Sequence, residues 1–252
     1  MRSARKRTFL AIFLIALGPE LALADRPTPA ELSTLTLQGH LRGLPSERIE
    51  QTIEREAFEV MDSARARPDE IRGATVIFKD GKTPAALDEL ASRAQIDVSS
   101  VELKVSAGDE GRVFTIWIGE DLLLLLNGSL RERLEKAIGR QRYQFLTLAG
   151  SAPDGEAALF EEVAYSQEMH IYKAGIVGPA AGIAALLDDP TVAAITLDDT
   201  SERVASFSAL KEEYGRSKVD SMMRVTTPDP ESLSAAGQRV LARMRGATVI
   251  QR

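Results

Sequence analysis

The sequence contains one pattern twice: a β-rich run, a predicted helix, and a second β-rich run. In the first copy the β-rich runs are residues 74–79 (ATVIFK) and 98–105 (VSSVELKV). In the second copy they are residues 169–177 (MHIYKAGIV) and 192–197 (VAAITL). Short β-branched runs are typical of strands, and each helix between them opens with Pro-Ala-Ala, which suits a first helical turn. The chain is therefore predicted to be an α+β protein built from two strand–helix–strand units.

Two such units interleave naturally into one antiparallel sheet with helices on one face. That arrangement is the ferredoxin-like sandwich, a split βαβ fold. Between the units we expect an inserted strand at 113–118 (VFTIWI), paired as a hairpin with the half-buried strand 98–105. A long helix is predicted at about 122–149, and Asp80-Gly81 is predicted to be a turn. The core domain is expected to span residues 71–198.

The remaining parts of the mature chain are predicted to be extensions of this core. Residues 25–70 form an N-terminal extension, in which 25–33 is a polar leader and the leucines that follow indicate a strand. From Ser46 the apolar residues recur at three- and four-residue steps, which predicts a helix. Residues 199–252 are expected to be a mobile or loosely packed tail, with one short helix near 232–245.

The first 24 residues have the three-part layout of a secretory signal peptide. A basic start, Arg2 to Arg7, is followed by the apolar run 9–17. Ala22 and Ala24 give the small-x-small cleavage pattern, so we expect cleavage between Ala24 and Asp25. The run is shorter than the about 20 residues that a permanent membrane span needs, although an uncleaved anchor is the alternative. The protein is therefore predicted to be bacterial, and periplasmic or extracellular, with no permanent membrane span after cleavage.

Composition excludes several kinds of site. The chain has no Cys and only two His, which removes disulfides, Cys-ligated metals and thiol nucleophiles. The net charge is −6, and removal of residues 1–24 takes away four basic residues and one acidic residue, which leaves −9. An acidic chain does not suit a nucleic-acid phosphate backbone. We expect no nucleic-acid partner, no cofactor and no metal site.

Candidate catalytic residues are few. His170 could act as a general base beside Glu168, and the sequence spacing is also compatible with a dispersed Ser-His-Asp triad. No G-x-S-x-G elbow occurs, and structural or solvent-facing histidines are the alternative that we favour. The acidic pairs Asp188-Asp189 and Asp198-Asp199 fall where the chain is predicted to turn, which Asp favours for local hydrogen bonding.

Residues 169–198, which contain the run IYKAGIVGPAAGIAALLDDPTVAAITLD from Ile171 onward, resemble the second half of subtilisin-type propeptides and related small protease inhibitors. The resemblance implies a ferredoxin-like fold and a role as an inhibitor or folding chaperone of a protease. In that family the segment after the last strand enters the protease cleft. By position this implies four binding residues here: Leu197, Asp198, Asp199 and Thr200. Residues 106–168, which separate the two halves, depart from the family pattern.

Trp117, the only tryptophan, is the other candidate binding residue. If Phe114, Ile116 and Ile118 face the core, Trp117 faces the opposite way and could contact a partner. The arrangement that we favour from sequence is a strand covered on both faces.

Together these features predict an exported, non-enzymatic binding module for a protein partner, such as a protease or an envelope protein. It would act by β-augmentation or tail insertion, and a protease-inhibitor-like role is one form of it. The alternative is a secreted hydrolase with a dispersed, unrecognised active site.

Overall fold

The computed structural model of the 252-residue chain describes residues 26–41, 44–198, 204, 205, 207–209 and 211. Its fold is α+β, with one five-stranded antiparallel sheet in the order β3-β2-β4-β1-β5. The strands are β1 Ile71–Lys82, β2 Asp97–Ala107, β3 Arg112–Ile118, β4 His170–Pro179 and β5 Val192–Leu197.

Eight helices accompany the sheet in the described residues. They are α1 Pro29–His40, α2 Ser46–Ala66, α3 Pro84–Ala94, α4 Glu120–Leu125, α5 Leu130–Ser151, α6 Asp154–Tyr165, α7 Ala180–Ala185 and a 3-10 helix at Leu186–Asp188. None of them combines the length and the apolar character that crossing a membrane requires.

The two strand–helix–strand units share the sheet by interleaving. β1 and β2 flank β4 and are both antiparallel to it, while β4 and β5 flank β1 in the same way. Each unit therefore receives a strand of the other between its own two strands. The predicted hairpin is confirmed: β3 pairs with β2 and forms one edge of the sheet.

One face of the sheet, here called the first face, carries the apolar core. Ala74, Val76 and Phe78 of β1 pack there with Leu87 of α3 and Leu134 of α5, all of them buried. The start of α3 is set as the sequence predicts, because the Thr83 hydroxyl accepts a hydrogen bond from the N–H of Ala86 at 3.2 Å and Pro84 occupies the first turn.

The predicted leader and strand before α2 are wrong, because the structure has helix α1 there. The Thr28 hydroxyl accepts from the N–H of Glu31 at 3.3 Å, and the Glu31 carboxylate accepts from the N–H of Thr28 at 2.7 Å. This reciprocal capping, with Pro29 in the first turn, starts a helix. The alternating leucines that suggest a strand lie on the helix that this cap begins.

Helix α1 lies on the opposite face of the sheet, here called the second face. The Ser33 hydroxyl donates to the carbonyl oxygen of Phe78 at 2.6 Å, and His40 Nε2 lies 3.1 Å from Thr196 Oγ1. Thr196 is paired with Thr75, whose chain neighbours face the apolar core, so both threonines point to the second face. The expectation of helices on one face alone is therefore wrong for α1.

The predicted helix 122–149 is two helices, α4 and α5. Between them Gly128 has a φ of +119°, a conformation that L side chains rarely adopt. Ser129 then caps α5: its hydroxyl accepts from the N–H of Glu132 at 3.3 Å, and the Glu132 carboxylate accepts from the N–H of Ser129 at 3.0 Å. The Leu-rich run suggests one continuous helix, but this second capping box begins a new helix after it.

The predicted turn at Asp80-Gly81 is wrong, since both residues lie inside β1. The β1–β4 register shifts between Ile77 and Lys82, so the strand is irregular there without reversing. A Cβ on Gly81 would collide with the Cβ of His170. Glycine is thus used at this point for a close approach of two strands and not for a turn.

Candidate functional site on the second face of the sheet

The second face carries a row of side chains that crosses four strands. Ile77 of β1 is paired with Lys173 of β4, Lys173 with Glu102 of β2, and Glu102 with Trp117 of β3. Directly paired residues of antiparallel strands project to the same side, with Cβ atoms about 4.5–5.5 Å apart. The row therefore brings residues far apart in sequence into one surface.

Two lysines and one glutamate form an ion triad in this row, here called the Lys–Glu–Lys triad. The Glu102 carboxylate lies 3.1 Å from Lys104 Nζ and 2.5 Å from Lys173 Nζ. All three side chains are largely buried, with Lys173 the most exposed of them. The sequence predicts a half-buried β2, and this is wrong because the triad buries the polar side of the strand as well.

The Lys–Glu–Lys triad keeps Glu102 ionised. Burial by itself raises the pKa of this carboxyl, but Lys104 and Lys173 together outweigh burial, through their charges and hydrogen bonds, and hold the pKa below its ordinary value. Because two ammonium groups face one carboxylate, the triad retains a net positive charge. Such a group can accept one further anionic partner at its exposed side.

Trp117 stands at the end of this row on the edge strand. Its side chain is 49% exposed, whereas Phe114, Ile116 and Ile118 are buried. The side chains of β3 thus alternate between buried and exposed, as the sequence indicates. The prediction that both faces of this strand are covered is wrong at Trp117. Lys173 Nζ lies 5.8 Å from the centroid of the indole ring, within the range of a cation–π contact.

Lys104 is held in place from β3 as well. Its ammonium donates to Thr115 Oγ1 at 3.0 Å, and Thr115 is its direct partner in the β2–β3 pairing. The polar side of β3 next to Trp117 is therefore tied to the triad, which fixes the surface on which Trp117 is exposed.

His170, the predicted catalytic candidate, also belongs to this neighbourhood. It is the first residue of β4, it is half-buried, and it is paired with Lys104 of β2. Its Nδ1 is buried and has no hydrogen-bond partner in the described part of the chain. Glu168 is exposed, and no hydrogen bond or ion pair between the described residues joins it to His170. A cationic lysine beside the imidazole and a carboxylate turned to solvent are not the arrangement of a general base with its orienting acid.

Tyr172 lies beside His170 and is almost fully buried. Burial, followed by the charges of Asp80 and Glu168, raises its pKa to about 12. Its phenol is therefore protonated at neutral pH and is not a nucleophile or base.

The residues implied by the resemblance lie at the end of β5. Leu197 is the last residue of this strand and is paired with Ala74. The N–H of Asp198 donates to the carbonyl oxygen of Gly73 at 3.0 Å, which extends the attachment to β1 by one residue. Asp199 and Thr200 lie outside the described residues, as do the cleavage-site residues Ala22, Ala24 and Asp25.

Part of the predicted tail contacts the domain. Phe207 is buried, and Lys211 Nζ lies 2.8 Å from a carboxylate oxygen of Asp97 at the start of β2. The predicted helix near 232–245 lies outside the described residues.

The chemical groups gathered on the second face are aromatic and charged. In the residues that the structure covers, no group of three or more His, Asp or Glu side chains is placed to hold a metal ion. The second face offers a flat aromatic ring, a cation above it and a buried charge cluster with one spare positive charge. Groups of this kind can contact a ligand through stacking, apolar contact and charge.

Sequence reasoning missed the Lys–Glu–Lys triad. Glu102 and Lys104 look like the solvent side of an alternating strand, and Lys173 is an isolated lysine in an apolar run. The one available signal was a lysine in the middle of the largely apolar run 169–177, because a lysine that becomes buried needs a counter-charge.

Comparison of the chain with protein family models, with curated proteins and with solved structures finds no match.

Proposed function

We propose that this protein is a non-enzymatic binding module that takes up an extended segment of a protein partner along strand β3. The observation that carries this proposal is the half-exposed Trp117 on a strand that pairs, within the described residues, with β2 alone. The same proposal assigns the sheet to the ferredoxin-like sandwich, which the interleaved order of β1, β2, β4 and β5 supports.

The edge of β3 suits the addition of a strand. It is seven residues long, and an edge strand presents N–H and C=O groups that a partner strand can pair with. Backbone pairing supplies affinity in this mode, while the side chains beside the edge supply specificity.

The side chains beside the edge indicate which segment fits. Trp117 provides the apolar contact that is typical of binding hot spots. Lys173 lies over the indole ring and shares the single carboxylate of Glu102 with Lys104. Because this leaves one positive charge without a counter-charge in the triad, Lys173 favours an acidic side chain in the partner. The partner segment is therefore extended, with an acidic residue facing Lys173.

The test uses displayed random 12-residue peptides selected on the immobilised protein. We expect the selected peptides to be acidic and to change the fluorescence of Trp117, the sole tryptophan of the chain. Trp117→Ala should weaken their binding by about tenfold or more. Ile71→Ala is the matched control, because Ile71 is also 49% exposed but lies on β1. Equal affinities of wild type and Trp117→Ala would overturn the proposal.

The resemblance to subtilisin-type propeptides suggests a protease as the partner, and the second unit of the sheet supports this. The N–H of Asp198 donates a hydrogen bond to the carbonyl oxygen of Gly73. The segment that follows β5 therefore begins at a position that is held against β1. The assay measures subtilisin activity with residues 25–252 and with a chain that ends at Asp198. Inhibition by the longer chain alone is expected, and its absence with both chains rejects the protease.

The proposed location is the periplasm or the exterior of a bacterial cell. The basic and apolar layout of residues 1–24 supports this. N-terminal sequencing of the protein recovered from the envelope and the medium should begin at Asp25, and a chain that retains Met1 in these fractions would contradict cleavage.

A further inference from the structure

Helix α2 presents large apolar side chains to solvent. Phe58 is 66% exposed and Met61 is 39% exposed, one turn apart. The buried side of the same helix contains Ile49 and Val60 and packs toward β5 and α7. At 100° per residue, Phe58 lies almost directly opposite these two side chains. An exposed pair of this size on a helix that is otherwise amphipathic marks a contact surface.

The exposed side of α2 has a regular spacing, and we call it the α2 stripe. Its members follow one another at steps of three and four residues: Gln51, Glu54, Phe58, Met61 and Arg65, all exposed. This 3-4-3-4 spacing is the one by which two helices pack side by side as a coiled coil. The α2 stripe is acidic before its apolar centre and basic after it.

We propose that the α2 stripe is the interface of a homodimer, in which α2 of a second copy packs antiparallel to it. With the two-fold axis between positions 58 and 61, Phe58 contacts the partner's Met61. In the same register Glu54 faces the partner's Arg65, and the symmetry of the pair makes each contact twice. This inference does not depend on the proposed binding at β3.

Charge decides the occupant and the orientation. In the antiparallel arrangement each Glu54 meets an arginine, whereas a parallel pair would place Glu54 against Glu54 and Arg65 against Arg65. The α2 stripe is thus complementary to itself in one orientation only. Neither an unrelated acidic helix nor an unrelated basic helix would satisfy both of its ends.

The contact is short, so the dimer is weak. From Glu54 to Arg65 the helix rises about 17 Å, which is roughly three turns. Small interfaces belong to the transient class, and we expect a dissociation constant on the order of 10–100 µM.

Sedimentation velocity of residues 25–252 from about 1 to 300 µM tests the proposal, since this range brackets the expected constant. We expect the mass to rise from monomer to dimer with concentration. Phe58→Glu should raise the dissociation constant by about 100-fold, because two phenylalanine contacts are lost per dimer. Trp117→Glu is the control: it replaces another exposed aromatic residue away from α2 and should leave the dimer intact. Circular dichroism melting checks that Phe58→Glu still folds.

A charge exchange tests the antiparallel orientation. Glu54→Arg and Arg65→Glu should each weaken self-association by about fivefold. An equimolar mixture of the two variants should associate at least as well as wild type. In the mixed dimer the arginine introduced at position 54 meets the glutamate introduced at position 65, and the native Arg65 and Glu54 still meet each other.

A monomer at all concentrations, or a dimer that Phe58→Glu leaves unchanged, overturns the proposal. A dimer that responds to Phe58→Glu without recovery in the mixture overturns the orientation.

Discussion

The two faces of the sheet are built by the same strands and differ in the charged groups that they bury. On the first face, apolar side chains such as Phe78 and Leu103 pack under helices, and their contribution depends mainly on the area removed from water. On the second face, the Lys–Glu–Lys triad depends on each partner being present, because an unpaired buried charge is costly. The first face therefore supplies most of the free energy of unfolding. The charges on the second face add little to it, but they can select which ligand binds there.

The largest expected effect is on the first face. Phe78→Ala removes a fully buried ring from the apolar core and should lower the free energy of unfolding by about 4 kcal/mol. Urea denaturation followed by circular dichroism measures it. Ile71→Ala, at the exposed end of the same strand, should cost less than about 1 kcal/mol. Similar losses for the two variants would mean that the first face is not the core.

Breaking the Lys–Glu–Lys triad should have the next largest effect. Glu102→Gln leaves two largely buried ammonium groups with no carboxylate, which should cost about 3 kcal/mol by the same measurement. The matched control is Glu110→Gln, which removes one partner of the exposed pair with Arg112 and should cost less than about 0.5 kcal/mol. Equal effects would show that the triad is solvated.

The triad also predicts a pH dependence. Although burial raises the pKa of Glu102, the two lysines hold it below the unfolded value of about 4.3. The stabilisation by Glu102 is therefore fully present above that pH and is lost as the pH falls through the folded-state pKa. The difference in free energy of unfolding between wild type and Glu102→Gln should shrink from about pH 7 to about pH 3. A difference that does not change with pH would contradict the role of the charge.

The smallest expected effect concerns the attachment of α1 to the second face. Ser33→Ala removes the hydroxyl that donates to the carbonyl oxygen of Phe78 and should cost about 1 kcal/mol. Thr34→Ala is the matched control, because the Thr34 hydroxyl is exposed and donates within α1, to the carbonyl oxygen of Ala30. Its effect on the free energy of unfolding should be near zero. Protection of α1 amides from hydrogen exchange should fall in Ser33→Ala alone. No difference between the variants would mean that Ser33 does not anchor α1.

Sequence patterns predict the first face well. Strand β5 has the predicted bounds, and α3 begins at Pro84, where the Pro-Ala-Ala opening predicts a helix start. These are local signals, in which a strand period or a cap is contained within a few residues. The two helix errors, at α1 and between α4 and α5, have one cause. In both places a capping box decided the structure, while the apolar pattern next to it suggested a strand or a longer helix.

The second face could not be predicted in the same way. Trp117 was identified as a candidate because alternation on one strand is a local signal. Its neighbours Glu102 and Lys173 are 71 positions apart, and only the β2–β4 register places them together. A shift of that register by one residue would move Lys173 to the other face, so the site depends on a pairing that no single segment of sequence encodes.

The interleaving of the two units sets the order in which the chain can become native during synthesis. Strand β1 ends at Lys82, but its neighbour β4 begins only at His170. Strand β2 also pairs with β4, so both strands wait for the same partner. At about 5–20 residues per second, the ribosome takes roughly 4 to 17 s to make the intervening 87 residues. Strand β2 is made within that interval, and the place between β1 and β2 stays unfilled until β4 follows. The first half of the domain therefore keeps unpaired strand edges until the second half is made and completes the sheet.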